Sequence, residues 1–163
     1  MGRYEEGLKL IEESFGNGKD NVISLSTVAM EPNADGKSRP CIRDVDAYYE
    51  DGVFYVTTWA KSTKMRQIAQ NREVAFAVCF EGFSGNGIGE NLGWVLDPKN
   101  AELRAKLREA FADWYDVAND EKDENCVILA IRITRGIINK DHGAVRYSMD
   151  FVNKRETEEG KFI

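Results

Sequence analysis

The sequence predicts a mainly β fold with flanking helices (α+β), arranged as a closed or nearly closed antiparallel barrel of six or seven strands. Three observations carry this. Apolar and polar residues alternate with a period of two along several stretches, as strands with one buried face require. Glu50-Asp51-Gly52 joins two such stretches as a hairpin, which makes the sheet antiparallel. Most strands lack a helix between them, which disfavours a parallel βαβ arrangement, and closing the sheet removes its exposed edges. At 163 residues the chain forms one domain, 1–163, able to bury roughly 70% of the surface it exposes unfolded.

Tyr4, Leu8, Ile11 and Phe15 recur at helical spacing, and Gly16, Asn17 and Gly18 stop that first helix. In Asn21–Met30, Ile23 and Leu25 alternate with Ser24 and Ser26 as a strand, and Glu31–Ser38 is a loop of turn-forming residues. Arg39–Tyr49 and Val53–Thr58 are the two arms of the hairpin. Ser62–Gln70 is a short helix with Met65, Ile68 and Ala69 on one face, and Glu73–Phe80 is a buried strand. Ser84-Gly85-Asn86-Gly87 marks a turn, after which Ile88–Val95 returns as a strand.

Asp97 and Pro98 open a longer helix reaching Tyr115, with Asp as N-cap and Pro in the first turn. Leu103, Leu107, Phe111 and Trp114 form its apolar stripe, most simply core packing. Asp116–Glu124 is an acidic, solvated loop. Val127, Leu129, Ile131 and Ile133 alternate through a further strand, and Gly136–Asn139 and Val145–Val152 supply one or two more.

Composition narrows the function classes. The net charge is −6 with scattered lysines and arginines, so the basic stripe of a nucleic-acid binder is absent. No apolar run approaches the ~20 residues of a membrane span, and the acidic opening MGRYEEGLKLIEESF is no secretory signal, so the expected location is cytoplasmic. Cys41, Cys79 and Cys126 are odd in number and far apart, which suits reduced thiols. With His142 as the single histidine, no metal-ligand spacing exists and zinc is not expected.

Two features point to chemistry. Cys41, Arg43, Val45 and Ala47 share one face of the second strand, while Asp44 and Asp46 point the other way. A guanidinium among apolar neighbours needs an anion, either an internal carboxylate or a ligand. The second feature is Thr57-Thr58-Trp59-Ala60-Lys61-Ser62-Thr63-Lys64, where a strand hands over to a helix. The free N–H groups of a helix start bind phosphate readily, and Lys61, Lys64, Ser62 and Thr58 would bracket one there. The alternative is that Ser62 merely caps the helix and both lysines are solvated. A helix terminus contributes only about 0.3–1 kcal/mol, whereas micromolar binding needs about 8 kcal/mol, so a phosphate-bearing ligand must also bury a large flat body.

The stretch RPCIRDVDAYYEDGVFYVTTWAKSTKMRQIAQNREVAFAVCF resembles the core of the pyridoxamine 5′-phosphate oxidase-like, FMN-binding split-barrel family. The matching elements are Arg43 on a strand, the Gly52 hairpin, Thr58 at a strand end, Ser62 and Lys64 opening a helix, and Asn71 before an apolar strand. The resemblance spans roughly residues 20–135 and is strongest over 39–80. It implies FMN as cofactor, lined by Arg43, Asp44 and Val45, with Thr57 and Thr58 at the phosphate or ring edge and Ser62 and Lys64 on the phosphate. Lys61 stands where many relatives carry a small residue. It also implies a homodimer with FMN at the interface; no motif marks what the second chain contributes, and the Phe83–Asn86 turn or Trp94 is expected there.

The tail Asn139–Tyr147 lacks the Arg-x-His-Asp-Arg stretch of true pyridoxamine phosphate oxidases, so vitamin B6 oxidation is not expected. The longer Asp97–Tyr115 helix resembles the stress-protein and flavin-reductase-like branches. The implied function is an FMN-dependent oxidoreductase with a small-molecule substrate or NAD(P)H, no catalytic side chain being legible. The alternatives are a flavin-holding stress protein, or the same barrel around a deazaflavin or haem. Gly85-Asn86-Gly87-Ile88-Gly89 departs from the dinucleotide spacing and reads as a hairpin turn, while Trp59 is placed to stack on a flavin or at an interface.

Overall fold

The computed structural model describes residues 1–16 and 18–157. Asn17, read above as part of the first helix stop, lies outside the described residues. Among the described residues, eight strands form one sheet: β1 (Asn21–Val28), β2 (Pro40–Glu50), β3 (Val53–Trp59), β4 (Glu73–Val78), β5 (Phe83–Trp94), β6 (Cys126–Lys140), β7 (Val145–Asp150) and β8 (Arg155–Glu156). Their order is β3-β2-β1-β4-β5-β6-β7-β8. Because β3 also pairs with β6, the first six close into an antiparallel barrel, and β7 and β8 extend the wall beyond it. The helices are α1 (Arg3–Phe15), α2 (Thr63–Gln70), α3 (Ala101–Ala110) and the single turn α4 (Tyr115–Ala118).

Strand alternation sorts two cores. Inward residues such as Ile23, Leu25, Phe54, Phe76, Leu129 and Ile131 fill the barrel, and Phe15 of α1 stacks on Phe83 at 5.4 Å between ring centroids. On the outer face, Tyr48, Cys126 and Ile128 pack against Val95, Leu107, Phe111 and Tyr115, so α3 and α4 cover β2, β3 and β6. The β2–β3 hairpin turns through Asp51 (φ 48°) and Gly52 (φ 78°), the two positive φ values of a tight two-residue turn. Only three residue pairs tie its arms: Tyr48–Tyr55, Tyr49–Phe54 and Glu50–Val53. Past them β2 follows β1 and β3 follows β6, so the wall splits and two strand edges diverge around a cleft.

Five sequence expectations are corrected. Ser84-Gly85-Asn86-Gly87 is not a turn but the start of the long strand β5, and the chain reverses earlier, through Phe80 and Gly82 at positive φ. Those glycines serve close strand approach: a Cβ on Gly85 would collide with the Arg135 carbonyl, and one on Gly87 would sit 2.8 Å from that of Arg132. Phe83 is interior to the barrel, so a Phe83–Asn86 turn is not available to a second chain. The Asp97–Tyr115 helix is broken: Asp97 caps a short 3₁₀ turn through the Lys99 N–H, α3 ends at Ala110, and α4 starts at Tyr115. β6 runs unbroken through Gly136–Asn139, and on α2 the inward residues are Met65, Gln67 and Ile68, with Ala69 exposed.

Candidate functional site

The cleft between the diverging strands has a volume of about 560 Å³, within the roughly 300–1,000 Å³ range of small-molecule pockets. Val45 and Asp46 of β2 form one wall, and Val56, Thr57, Thr58 and Trp59 of β3 the other. Lys64 of α2 lies at one end, and Trp114, Asn119, Asp120 and Asp123 close it from the α3–α4 side. Antiparallel alternation places Thr57 and Val56 on opposite faces of β3; both reach the cleft because the wall opens there.

The polar groups at the Lys64 end are short of partners. The hydroxyls of Thr57 and Ser62 are both buried and have no hydrogen-bond partner among the described residues. Ser62 occupies the N-cap position of α2 yet makes no capping bond, so its hydroxyl is left for something else. Arg43 lies two residues from Val45 on the same face of β2. Its Nη1 donates to Thr27 Oγ1 at 2.7 Å and to the carbonyls of Leu25 (3.1 Å) and Cys41 (3.4 Å), and its Nη2 donates to Gln67 Oε1 at 3.0 Å. Every one of these acceptors is neutral. Neither Arg43 nor Lys64 forms an ion pair among the described residues.

The electrostatics follow from burial. Desolvation holds the Lys64 ammonium below its ordinary value, and the Arg43 charge pushes it further in the same direction. Desolvation likewise lowers the Arg43 guanidinium. Two unpartnered hydroxyls and two cations without a carboxylate partner among the described residues make this end of the cleft donor-rich and positively charged, as an anion site requires. The opposite wall differs. The Asp46 carboxyl is raised by burial and by the Asp20 carboxyl within hydrogen-bonding reach, and Trp114 Nε1 donates to Asp20 Oδ2 at 2.6 Å. Burial and nearby carboxylates push the Cys126 thiol up to about 11, so it is a neutral wall group rather than a nucleophile.

Of the residues expected at the site, the cleft brings together Val45, Thr57, Thr58 and Lys64, with Ser62 and Arg43 beside its Lys64 end. Asp44 is exposed on the outer face and accepts a bond from Ser24 Oγ at 2.7 Å. Lys61 is exposed, and Trp94 packs in the outer core with its Nε1 on the Glu121 carbonyl at 2.8 Å. Sequence reasoning missed Asp46, Trp114, Asn119 and Gln67. Gln67 alone had a local signal, since it stands three residues from Lys64 on the same side of a helix.

No protein-family model matches the sequence, and no curated protein matches it. Solved structures do match the fold. A heme binding protein from Mycobacterium smegmatis aligns at TM-score 0.63 and 16% identity, covering 94% of this chain and 60% of that one. A Clostridium acetobutylicum protein related to general stress protein 26, of the pyridoxinephosphate oxidase family, aligns at TM-score 0.59 and 13% identity, covering 93% and 96%. An FAD-binding protein from Mesorhizobium loti aligns at TM-score 0.54 and 16% identity, covering 79% and 90%. Together with the closed six-stranded antiparallel barrel and its divided wall, these likenesses show that the chain has the split-barrel fold of those structures.

Proposed function

We propose that this protein is an FMN-binding oxidoreductase that holds the cofactor in the cleft between β2 and β3. The observation that carries the reading is the pair Arg43 and Lys64, two partly buried cations with no carboxylate partner, beside the unpartnered Ser62 and Thr57 hydroxyls. These four would hold the phosphate, with Thr58 next to them. Charge-assisted hydrogen bonds contribute about 1.5–3 kcal/mol each, so two fall short of the about 8 kcal/mol of micromolar affinity. The rest must come from ring burial, for which Val45, Val56 and Trp114 provide apolar surface. Bound FMN would supply hydride or single-electron transfer, leaving the chain to bind, orient and exclude water.

A haem is the competing occupant of such a barrel, as the mycobacterial relative illustrates. The lining here favours flavin. Among the described residues it contains no histidine or methionine, the single histidine is exposed on the His142 turn, and the lining thiol, Cys126, is held protonated. The site is proposed to be completed by a second copy of the chain. α3 and α4 cover β2, β3 and β6, but on the outer side of β1 and β2 the apolar Val22 and Ile42 stay 45% and 71% exposed beside Ser24.

Native mass spectrometry and the visible spectrum of the purified protein test the proposal, with bound FMN expected. A colourless protein that also fails to take up added FMN contradicts it, and a bound haem or deazaflavin replaces it. Reduction of the bound flavin by NADH or NADPH separates an oxidoreductase from a flavin-holding stress protein. Light scattering that shows a stable monomer counts against the shared site.

A further inference from the structure

Thr27 and Gln67 are 1% and 4% exposed, although neither carries an apolar side chain. Buried polar groups persist where they are fully bonded, and these two are bonded to each other and to Arg43. Thr27 Oγ1 donates to Gln67 Oε1 at 2.5 Å while accepting from Arg43 Nη1 at 2.7 Å, and Gln67 Nε2 reaches Cys41 Sγ at 3.5 Å. Because the two acceptors touch, they cap the end of the guanidinium between Nη1 and Nη2. The side edge, Nε–H with the second Nη2–H, makes no hydrogen bond among the described residues. That edge is the two-pronged fork that matches two oxygens of one phosphate.

The choice of glutamine is informative. A glutamate at the same place would bond the guanidinium equally well and neutralise it. The amide fixes the direction of the fork and leaves the positive charge whole. We propose that Gln67, with Thr27, is a positioning residue that aims the free edge of Arg43 at a phosphate monoester dianion and keeps its charge uncompensated. The inference rests on the reading of this corner as a phosphate site, and it adds the pair that makes the site selective for charge.

The test compares Gln67→Glu with the wild-type protein in three titrations: FMN, riboflavin (which lacks the phosphate) and inorganic phosphate. The expected result is FMN affinity lowered about 100-fold, riboflavin affinity unchanged, phosphate binding lost, and a Tm equal to or above that of wild type. Equal losses for FMN and riboflavin would show a merely structural role and overturn the inference, as would unchanged FMN affinity. If the wild type binds no flavin, the proposed function fails, and the phosphate titration still decides whether Gln67 governs an anion site. Should Gln67→Glu not fold, Thr27→Val removes one of the two acceptors. It is expected to weaken FMN about 10-fold and leave riboflavin alone, and parallel losses again overturn the idea.

Discussion

Two regions of this molecule treat positive charge in opposite ways. Six of the described lysines and arginines are partly buried: Arg43, Lys64, Arg104, Lys106, Arg108 and Lys140. On the helical flank, Arg104 pairs with Glu121 at 2.6 Å, Lys106 with Glu50 at 2.8 Å and Arg108 with Asp116 at 2.8 Å. Lys140 pairs with Glu81 at 2.8 Å. Beside the split, neither Arg43 nor Lys64 forms an ion pair among the described residues. A protein with 28 acidic and 22 basic residues has carboxylates to spare, yet these two cations pair with none among the described residues. On the flank the buried charge is matched within the chain, whereas at the split no carboxylate among the described residues matches it, and the proposed phosphate site rests on that contrast.

Breaking the contrast at its strongest point gives the largest effect. Arg43→Met is expected to weaken FMN binding about 100-fold, the equivalent of about 2.7 kcal/mol, measured by flavin fluorescence. On the flank, Arg104→Met removes two charge-assisted bonds to the Glu121 carboxylate, which keeps Arg108 and Tyr115, and is expected to lower stability by about 2 kcal/mol in urea unfolding, with FMN affinity untouched. The same pair sets an acid limb. Bonds from Arg104 hold the Glu121 carboxyl down at about 2, so its stabilisation is complete above the unfolded value near 4.3 and drains away as pH falls toward 2. Glu121→Gln should flatten that limb of the stability–pH curve.

Lys64 sharpens the contrast with an effect of the opposite sign. Its ammonium is desolvated without a partner, so Lys64→Met should raise Tm of the unliganded protein by about 2–4 °C while weakening FMN about 10-fold. The smallest effect belongs to the acidic wall. Asp46 is raised in the folded state, so its protonated form stabilises below the unfolded value, and that stability is lost as pH rises through the folded one. Asp46→Asn should therefore gain about 1 °C at neutral pH and nothing in acid, read by thermal melts at two pH values.

The barrel was legible because it depends on local rules. Alternation in Val127–Ile133, the Asp51-Gly52 hairpin and the Thr58-to-Ser62 handover all report on neighbours in sequence, and all three stand in the structure. Gly85–Gly87 misled because a glycine in a turn and a glycine under a crossing strand look alike, and only the β6 carbonyls at Arg132 and Arg135 tell them apart. Asp46 and Trp114 were illegible for a related reason. They meet at the cleft only because β2 leaves β3 after three residue pairs and the chain returns through α4 some seventy residues later. The neutrality of the Arg43 acceptors was likewise invisible, since Thr27 and Gln67 come from two other elements.

The most direct measurement is the ratio of FMN to riboflavin affinity in the unmodified protein, titrated side by side under the same salt. The two differ only by the phosphate that the bare cations are held to await. The account predicts at least a roughly 100-fold preference for FMN, the free energy of two charge-assisted contacts. Equal affinities would mean that Arg43 and Lys64 face no anion of the cofactor.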